Sequence, residues 1–516
     1  MRETARLVAT LAGARVAGSL PPSVDAIATD SRAVRPGTLF VALRGERTDG
    51  HNFIADALAR GATAIVLEDP NLALTNAIVL SLSDRRSNPN VALSNPNVAL
   101  SNPNVTLSLS KGVPAIIVSD TRVAASALAD AFHDHPSHAL IVIGVTGTNG
   151  KTTTTHLLRD VLEAAGIACG VIGTLGGEFR DLRWPLANTT PLALELHGLL
   201  AAQRDAGAQA VAMEVSSHAL ALHRVDHVRF RVAVLTNITR DHLDFHGTLE
   251  RYAAAKRRLL DLAPDQVIDL DDPFGARFAS ELDHPFPYYI DAEPQGGLHA
   301  TDLQLQGDGS TFRVGSHEFT INLPGRFNVR NALAAMGAAV ILNVGIPIET
   351  IARGLATTRS VPGRMERFGA FGIDAIVDYA HTPDALENVL RAVRETTKRD
   401  LIVVFGCGGD RDHGKRAQMG EIAARLADRV IVTSDNPRSE DPMTIARDIA
   451  NGYQRTHIEL DRRSAIRRAI DEARAGDTVV VAGKGHETYQ IVGHETRPFD
   501  DRDEVRIAFA KRADSR

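Results

Sequence analysis

Cysteine is nearly absent from this chain of 516 residues, which has only Cys169 and Cys407. Two cysteines cannot form a disulfide framework, and nothing near either has zinc-ligand spacing. Long apolar runs are missing too. No stretch approaches the roughly 18 apolar residues that a membrane-spanning helix needs. Met1 to Leu20 carries Arg2, Glu3, Arg6 and Arg15 among short apolar groups. It lacks the apolar core and cleavage site of a secretory signal, so a cytoplasmic protein is expected. A basic excess is also lacking. The formal net charge is -6, which gives no electrostatic hold on nucleic acid or an anionic membrane. Local basic pockets for phosphate stay open.

The composition that remains, 44% hydrophobic and 23% charged, is that of an ordinary globular protein. The length exceeds what one hydrophobic core organises and points to two to four domains. Residues 1–137 read as a small first α/β domain, with short strand-like runs at Thr38–Leu43 and Ala64–Leu67. Within it Ser-Asn-Pro-Asn-Val-Ala-Leu occurs at Ser87 and Ser94, and again at Ser101 with Thr106 in place of alanine. A seven-residue period could suggest a coiled coil, but proline and paired asparagines in each unit exclude it. Residues 87–107 therefore read as a low-complexity surface insertion.

From Ala139 a rhythm of apolar strand, glycine-rich or polar loop and helix sets in. Ala139–Val145, Ala210–Val215 and Val232–Leu235 are strand-like, and Leu157, Leu158, Val161, Leu162 and Ala165 share one helical face that Gly166 ends. The rhythm returns at Ala375–Val377, Leu401–Phe405, Arg429–Val432 and Thr478–Ala482. The expected fold is α/β: a central P-loop-type domain over 138–360 with a mostly parallel sheet, and a Rossmann-like C-terminal domain over 361–516.

Gly144-Val-Thr-Gly-Thr-Asn-Gly-Lys-Thr152 lies between a strand and a helix. Glycines let backbone N–H groups curl around phosphate oxygens, and the following helix turns its positive end to the same anion. Gly147, Thr148, Asn149, Gly150, Lys151, Thr152 and Thr153 are thus the expected ATP cradle. Lys151 would reach the terminal phosphates and the Thr152 hydroxyl a magnesium ion. The common phosphate-loop pattern puts glycine where Val145 stands, and Gly144 is one position early. Two further segments follow strands, Met213–His218 and Thr236–Asp244. Glu214 and His242, at adjacent strand ends, could hold magnesium in an oxygen-rich shell. Tyr252–Arg258 reads as an amphipathic helix with a solvated lysine.

The form Gly-x-Thr-Gly-Thr-Asn-Gly-Lys-Thr resembles that of the Mur ligase family, which uses ATP to join a carboxylate to an amine, and the resemblance runs along nearly the whole chain. It implies a catalytic set of Lys151, Lys256 and His242. Lys256 would be carbamylated by carbon dioxide, which requires a neutral amine and so a lowered pKa. The metal set is then Thr152, Glu214, His242 and Lys256 as carbamate, around Mg2+. ATP would also meet Asn331, Arg364 and Asp378. Thr29, Ser31, Glu46, Arg47 and Thr48 would bind the UDP end of a UDP-linked muramoyl dipeptide. Asn188, Thr189, Thr190, Ser216 and Arg224 would hold its peptide. Leu222 stands where the family has glutamine. Three loops at strand ends, Gly406–Asp412, Ser434–Arg438 and Gly483–Glu487, can converge on a ligand bearing ammonium and carboxylate groups.

The Asp435-Asn-Pro-Arg438 form resembles that of members adding meso-diaminopimelate. Arg411, Asp435, Asn436, Arg438, Gly483 and Glu487 are the implied contacts. A monomer working on small molecules, with no nucleic acid or membrane partner, is expected. Two alternatives remain: a lysine-adding or folate-glutamylating ligase, and a non-catalytic ATP-binding regulatory module.

The insertion yields the first prediction. Lengthening a surface loop costs only about 0.6 kcal/mol per doubling. Deleting Ser87 to Leu107 should leave activity and melting temperature nearly unchanged. Measuring both on the shortened chain checks this, and a large fall in either would show that the repeat packs or binds something.

Overall fold

A computed structural model describes residues 1–45, 48–68, 114–293, 296–358, 361–453 and 456–514. The insertion at 87–107, Glu46 and Arg47 lie outside the described residues. The chain divides into two compact units.

The first unit comprises Met1–Leu140, Thr190–Ala206 and His218–Arg229. Its sheet runs in the order Arg15–Ala17, Ala115–Ile117, Ala62–Leu67, Thr38–Val41, Ala26–Ala28, and only the first pair is antiparallel. Side chains alternate across a strand, and the burial follows that period. Leu39, Val41, Ala64 and Val66 join the Thr121–Phe132 helix in one apolar cluster, while Phe40, Ala42, Ile65 and Leu67 form another with Ile54 and Ala57. Asp120 caps the Thr121–Phe132 helix by accepting from the N–H groups of Arg122 and Val123. The helix Ala193–Asp205 belongs to this unit although it falls within the expected central span.

The second unit holds two large sheets and a two-stranded hairpin of Tyr489–Val492 with Glu495–Pro498. The larger has eleven described strands, in the order Leu182–Trp184, Gly176–Phe179, Cys169–Gly173, Ala210–Glu214, Ile141–Thr146, Phe230–Leu235, Asp265–Asp269, Phe286–Tyr289, Leu298–Leu305, Ser310–Val314, His317–Ile321. Cys169–Gly173 through Leu298–Leu305 pair parallel. The antiparallel hairpins at either end are additions that the sequence reading did not contain.

The first strand of this sheet in chain order, Ile141–Thr146, sits in its middle. Its neighbours are Ala210–Glu214 on one side and Phe230–Leu235 on the other. The chain therefore leaves this strand at a point where strand order reverses, the position where open α/β sheets bind ligands. The helix leaving it, Lys151–Ala164, buries Leu157, Leu158, Val161 and Leu162 completely. Burying each such side chain contributes about 1.5–3 kcal/mol. Gly166, with φ +79°, follows the helix end as expected. Gly144 belongs to the strand and not to the loop. A Cβ there would meet the Phe230 ring at 2.8 Å and Leu259 at 3.0 Å, so close packing requires that glycine.

The smaller sheet orders Glu366–Ala370, Ile373–Asp378, Thr478–Ala482, Leu401–Phe405, Arg429–Val432, Thr456–Ile458. All but the Glu366–Ala370 edge pair parallel. Helices Pro383–Thr396, Gly414–Leu426 and Pro442–Ala450 cover one face, and Arg462–Glu472 and Asp501–Asp514 the other. A buried pair ties that second layer to the sheet. Arg462 donates to both carboxylate oxygens of Asp501 at 2.7 Å and to the Ala482 carbonyl at 2.9 Å. It thereby fixes the strand end from which Gly483–Glu487 departs.

Candidate active site

The turn after Ile141–Thr146 is a phosphate loop. Gly147 has φ +148°, and a Cβ would collide with the Thr236 hydroxyl; Gly150 has φ +88°, and a Cβ would collide with the Asn331 side chain. Both positions demand glycine. The neighbouring strand end grips the loop. Thr148 N donates to the Asn237 carbonyl at 2.8 Å, Asn149 N to the Asn237 side-chain oxygen at 2.9 Å, and Thr236 Oγ1 to the Asn149 carbonyl at 2.6 Å. The loop is thus held in shape by the protein's own hydrogen bonds.

Two lysines converge on it. Lys151 Nζ donates to the Gly147 and Thr148 carbonyls at 2.8 and 2.9 Å, and Lys256 Nζ donates to the same Gly147 carbonyl at 2.7 Å. Lys256 is 1% exposed and lies 4.6 Å from the Tyr252 ring centroid. The solvated lysine of the amphipathic-helix reading is therefore corrected. The Leu249–Asp261 helix turns the face carrying Tyr252, Ala253, Lys256, Leu259 and Leu260 inward. Burial pushes the Lys256 ammonium well below the usual lysine range, and the nearby charge of Lys151 adds to this, against the pull of Asp241. Burial lowers Lys151 also, opposed by Glu214 and Asp241.

Thr152 sits at the start of the helix. Its hydroxyl donates to Glu214 Oε1 at 3.0 Å and accepts from Arg364 Nη2 at 3.0 Å. Glu214 ends the Ala210–Glu214 strand and is buried, and its oxygens also accept from Thr174 N at 2.8 Å and Thr174 Oγ1 at 3.0 Å. His242, with φ +52°, stands 3.3 Å from Asp241. Burial would raise Asp241, but the His381 hydrogen bond and the charges of His242, His381 and Lys415 hold it well below the usual carboxylate range. A hydroxyl oxygen and a carboxylate oxygen side by side suit a hard cation such as Mg2+. Among the described residues no group of three His, Cys, Asp or Glu side chains could hold a metal unaided. The substrate phosphates and a further anion would have to complete the shell.

Loops of the smaller sheet close the same cleft, whose volume is about 620 Å³. Thr148–Thr153, Thr189, Glu214, Ser216, His242, Asn331, Arg364 and Asp378 all line it. Arg364 lies over the Tyr379 ring at 4.5 Å. Asp378 acts through its neighbours: its two oxygens accept from Met365 N at 2.7 Å and Ala380 N at 2.8 Å. Burial raises this carboxyl, against Arg364 and those N–H groups. Asn149 donates to Asp384 at 2.8 Å, and Arg240 grips Asp412 with two hydrogen bonds of 2.9 and 3.0 Å. Both link the large sheet's loops to the small one's.

The three loops beyond the strands of the smaller sheet do converge. A Cβ at Gly483 would meet Asp435 Oδ2 at 2.7 Å, and one at Gly408 would meet Arg438 Nη1 at 2.8 Å. Arg438 takes φ +53° and donates to the Gly409 carbonyl at 2.7 Å, and Asn436 Nδ2 donates to Glu487 Oε2 at 2.9 Å. Arg411 is more open, 3.9 Å from Asp244.

The residues expected at the UDP substrate divide between the units. Thr29, Ser31, Thr48, Thr190 and Arg224 lie in the first, where Arg224 Nη1 donates to the Thr190 carbonyl at 2.9 Å. Thr29, Leu222 and Arg224 line a separate cavity there with Arg44, Arg122 and His223. Asn188, Thr189 and Ser216 lie in the second unit. The sequence reading passed over Asp241, His381, Lys415 and Lys484. Each sits inside or beside a motif it did quote, but only folding shows that their side chains turn inward.

A phosphate loop at the switch point of a parallel sheet, with Arg364 reaching its Thr152 from beside a second sheet, defines a nucleotide-binding α/β protein. Residues 23–133 match the catalytic domain of the Mur ligase family, residues 145–339 the Mur ligase middle domain and residues 363–485 the Mur ligase glutamate ligase domain. A UDP-N-acetylmuramoyl-L-alanyl-D-glutamate–2,6-diaminopimelate ligase of Gloeobacter violaceus is 43% identical over 507 residues, covering 95% of each chain. One of the same name from Synechococcus elongatus is 44% identical over 506 residues, covering 96% of this chain and 95% of its own. A solved structure bearing that name is 32% identical, covers 95% of both chains and has a TM-score of 0.61. The chain belongs to the Mur ligase family.

Lys256 carries the prediction from this geometry. Lys256→Ala should lower turnover by roughly a hundredfold or more, the scale of losing one charge-stabilising group. The chain should still fold, so that the loss is read on catalysis and not on unfolding. Acetate should restore part of the rate by occupying the vacated space. Steady-state rates with and without acetate check this, and near-normal activity without added anion would contradict it.

Proposed function

We propose that this enzyme joins meso-diaminopimelate to UDP-N-acetylmuramoyl-L-alanyl-D-glutamate with ATP, forming the amide through an acyl phosphate. The observation that carries the reading is the cleft itself. A loop shaped for phosphates, Lys151 and the Thr152–Glu214 pair meet the polar loops of a second sheet, in a chain whose relatives act on these substrates.

In the first step the D-glutamate γ-carboxylate attacks the γ-phosphorus of ATP, the bond to the β-phosphate oxygen breaks, and ADP leaves. Two anions approach each other here, so the fixed charges of Lys151 and Arg364 are needed to offset their repulsion. Bound Mg2+ would supply further positive charge, with Thr152, Glu214, His242 and the Lys256 carbamate as its holders. The neutral amine that carbamate formation requires is favoured by the depressed Lys256 pKa. In the second step an unprotonated amine of diaminopimelate attacks the acyl carbon, phosphate leaves, and the ammonium of the adduct gives up a proton. Excluding water protects the acyl phosphate, and the Arg240–Asp412 and Asn149–Asp384 ties hold the cleft's two walls together.

The first unit, with Thr29, Ser31, Glu46, Arg47, Thr48, Thr190 and Arg224, is assigned to the UDP substrate, together with Asn188, Thr189 and Ser216. Arg411, Asp435, Asn436, Arg438, Gly483 and Glu487 are assigned to diaminopimelate. The division 1–137, 138–360 and 361–516, the monomeric state and cytoplasmic action on small molecules belong to the same reading. No described helix is long and apolar enough to cross a membrane.

Product analysis tests the mechanism. Supplied with the UDP-muramoyl dipeptide and a panel of amino acids, the enzyme should release ADP and phosphate stoichiometrically with amide, and fastest with diaminopimelate. Stoichiometric AMP, or no amide product with any amino acid, would sink it.

Specificity gives a separate prediction. Diaminopimelate differs from lysine by a carboxylate at its far end, and a guanidinium can grip a carboxylate through two hydrogen bonds. Arg438, held by the Gly409 carbonyl, is the clamp. Arg438→Ala should lose roughly two orders of magnitude in diaminopimelate efficiency, since the carboxylate is left unpaired. Lysine use should change little. Equal losses for both amino acids would remove Arg438 from the argument.

A further inference from the structure

A lysine sits fully buried in the loop that leaves the Thr478–Ala482 strand. Lys484 has no solvent-exposed surface. Its Nζ donates to Asn436 Oδ1 at 3.0 Å and to Glu487 Oε2 at 3.1 Å, and lies 5.6 Å from the Tyr489 ring centroid. Asn436 is buried as well. Its Oδ1 also accepts from Ile491 N at 2.9 Å, while its Nδ2 donates to Glu487 Oε2. An ammonium and a backbone N–H can only donate, so they determine which way the Asn436 amide faces. Turned over, the amide would set its NH2 against two donors. Lys484 thereby also directs the Asn436 NH2 onto Glu487. Both donors fall on Oε2, and Oε1 takes no hydrogen bond among the described residues.

We propose that Lys484 is the positioning residue of the amino-acid pocket: by fixing Asn436 and balancing Glu487 it makes the pocket select a far end bearing both ammonium and carboxylate over one bearing ammonium alone. This rests on the assignment of Asn436 and Glu487 to the amino acid made above. The electrostatic reason is direct. Asp435 and Glu487 are two carboxylates in one pocket; Arg411 is exposed at its rim near Asp244, so without Lys484 Arg438 alone would face them in the interior and leave it anionic. An anionic pocket favours the cationic end of lysine and repels the extra carboxylate of diaminopimelate. A buried, paired ammonium removes that bias, and a dry site magnifies the effect. The backbone gains too. The Ile491 N–H that Asn436 accepts belongs to the strand Tyr489–Val492, and Ile491 O in turn accepts from Arg438 N at 3.2 Å. An Asn436 that turned would loosen the loop presenting Arg438.

The test is steady-state kinetics of the full-length enzyme with Lys484→Met, varying each substrate in turn. KM for diaminopimelate should rise about tenfold or more, in line with unpairing a buried charge. KM for ATP and for the UDP-muramoyl dipeptide should stay within about twofold, and the preference for diaminopimelate over lysine should fall. All three KM values rising together, or an unchanged preference, would overturn the proposal and leave Lys484 a structural residue. Should Lys484→Met fail to fold, Lys484→Met combined with Glu487→Gln removes both charges and keeps the volume. Against Glu487→Gln alone, adding Lys484→Met should then change the preference by less than it does in the wild type, the remainder being its action through Asn436. A full multiplicative effect would show that Lys484 does not act through Glu487. The wild-type amino-acid panel is read first. If the wild type prefers another amino acid, the assignment of diaminopimelate fails, and the rise in KM is then sought for the amino acid preferred.

Discussion

The amines of Lys151 and Lys256 both donate to one carbonyl oxygen, that of Gly147. Like charges brought together out of water repel strongly, and the arrangement persists only if anions complete it or one amine gives up its proton. Much of the second unit serves this. Gly147 must be glycine to turn its carbonyl there beside Thr236, and the Leu249–Asp261 helix must press its Lys256 face inward. In the proposed reaction the phosphate tail of ATP would supply one anion. A carbamate on Lys256 would convert the second cation into another anion and reverse its pull on a nearby metal. One lysine would then grip phosphate while the other, modified, would help to hold Mg2+.

Around that pair the two sheets divide the labour. The larger sheet offers rigid strand ends, from which Glu214 and Thr236 reach the phosphate loop. The smaller sheet contributes Arg364, whose guanidinium meets Thr152 while its flat face lies over Tyr379. Asp378 serves as a brace, because its two oxygens hold Met365 N and Ala380 N and so set the turn that carries Arg364. A charge reaching across the cleft is thus positioned from behind by a carboxylate bound to backbone.

The central parallel strands were legible because their apolar runs are long and bounded by glycine or polar loops. Leu401–Phe405, Arg429–Val432 and Thr478–Ala482 appear with the bounds read from sequence. The phosphate loop was legible for a different reason: Gly147 and Gly150 stand where no other residue fits. Local pattern reads neither the edge hairpins nor the burial of Lys256. A helix of mixed composition does not announce which face meets the sheet, and charged residues flank Lys256 on the exposed side. Lys484 was hidden in the same way, within a loop that was noticed as a polar cluster at a strand end. The membership of Ala193–Asp205 in the first unit was also illegible, since it depends on what the helix packs against and not on its own period.

The amino-acid loops show why a sequence motif and a pocket are different things. Asp435-Asn-Pro-Arg438 supplies the groups, but the surrounding backbone decides what they can do. Arg438 occupies the left-handed region, which arginine seldom takes, and its amide and carbonyl are fastened to Ile491 O and Gly493 N. Its Nη1 is spent on the Gly409 carbonyl. That bond anchors one edge of the planar guanidinium and leaves its other donors fixed in direction, which is how a flexible side chain becomes a rigid fork. A solvated arginine would have to give up its side-chain freedom on binding. Here the Gly409 carbonyl holds the guanidinium and the hairpin beyond Glu487 holds the backbone, so in the proposed reaction the energy of meeting a carboxylate would go into discrimination.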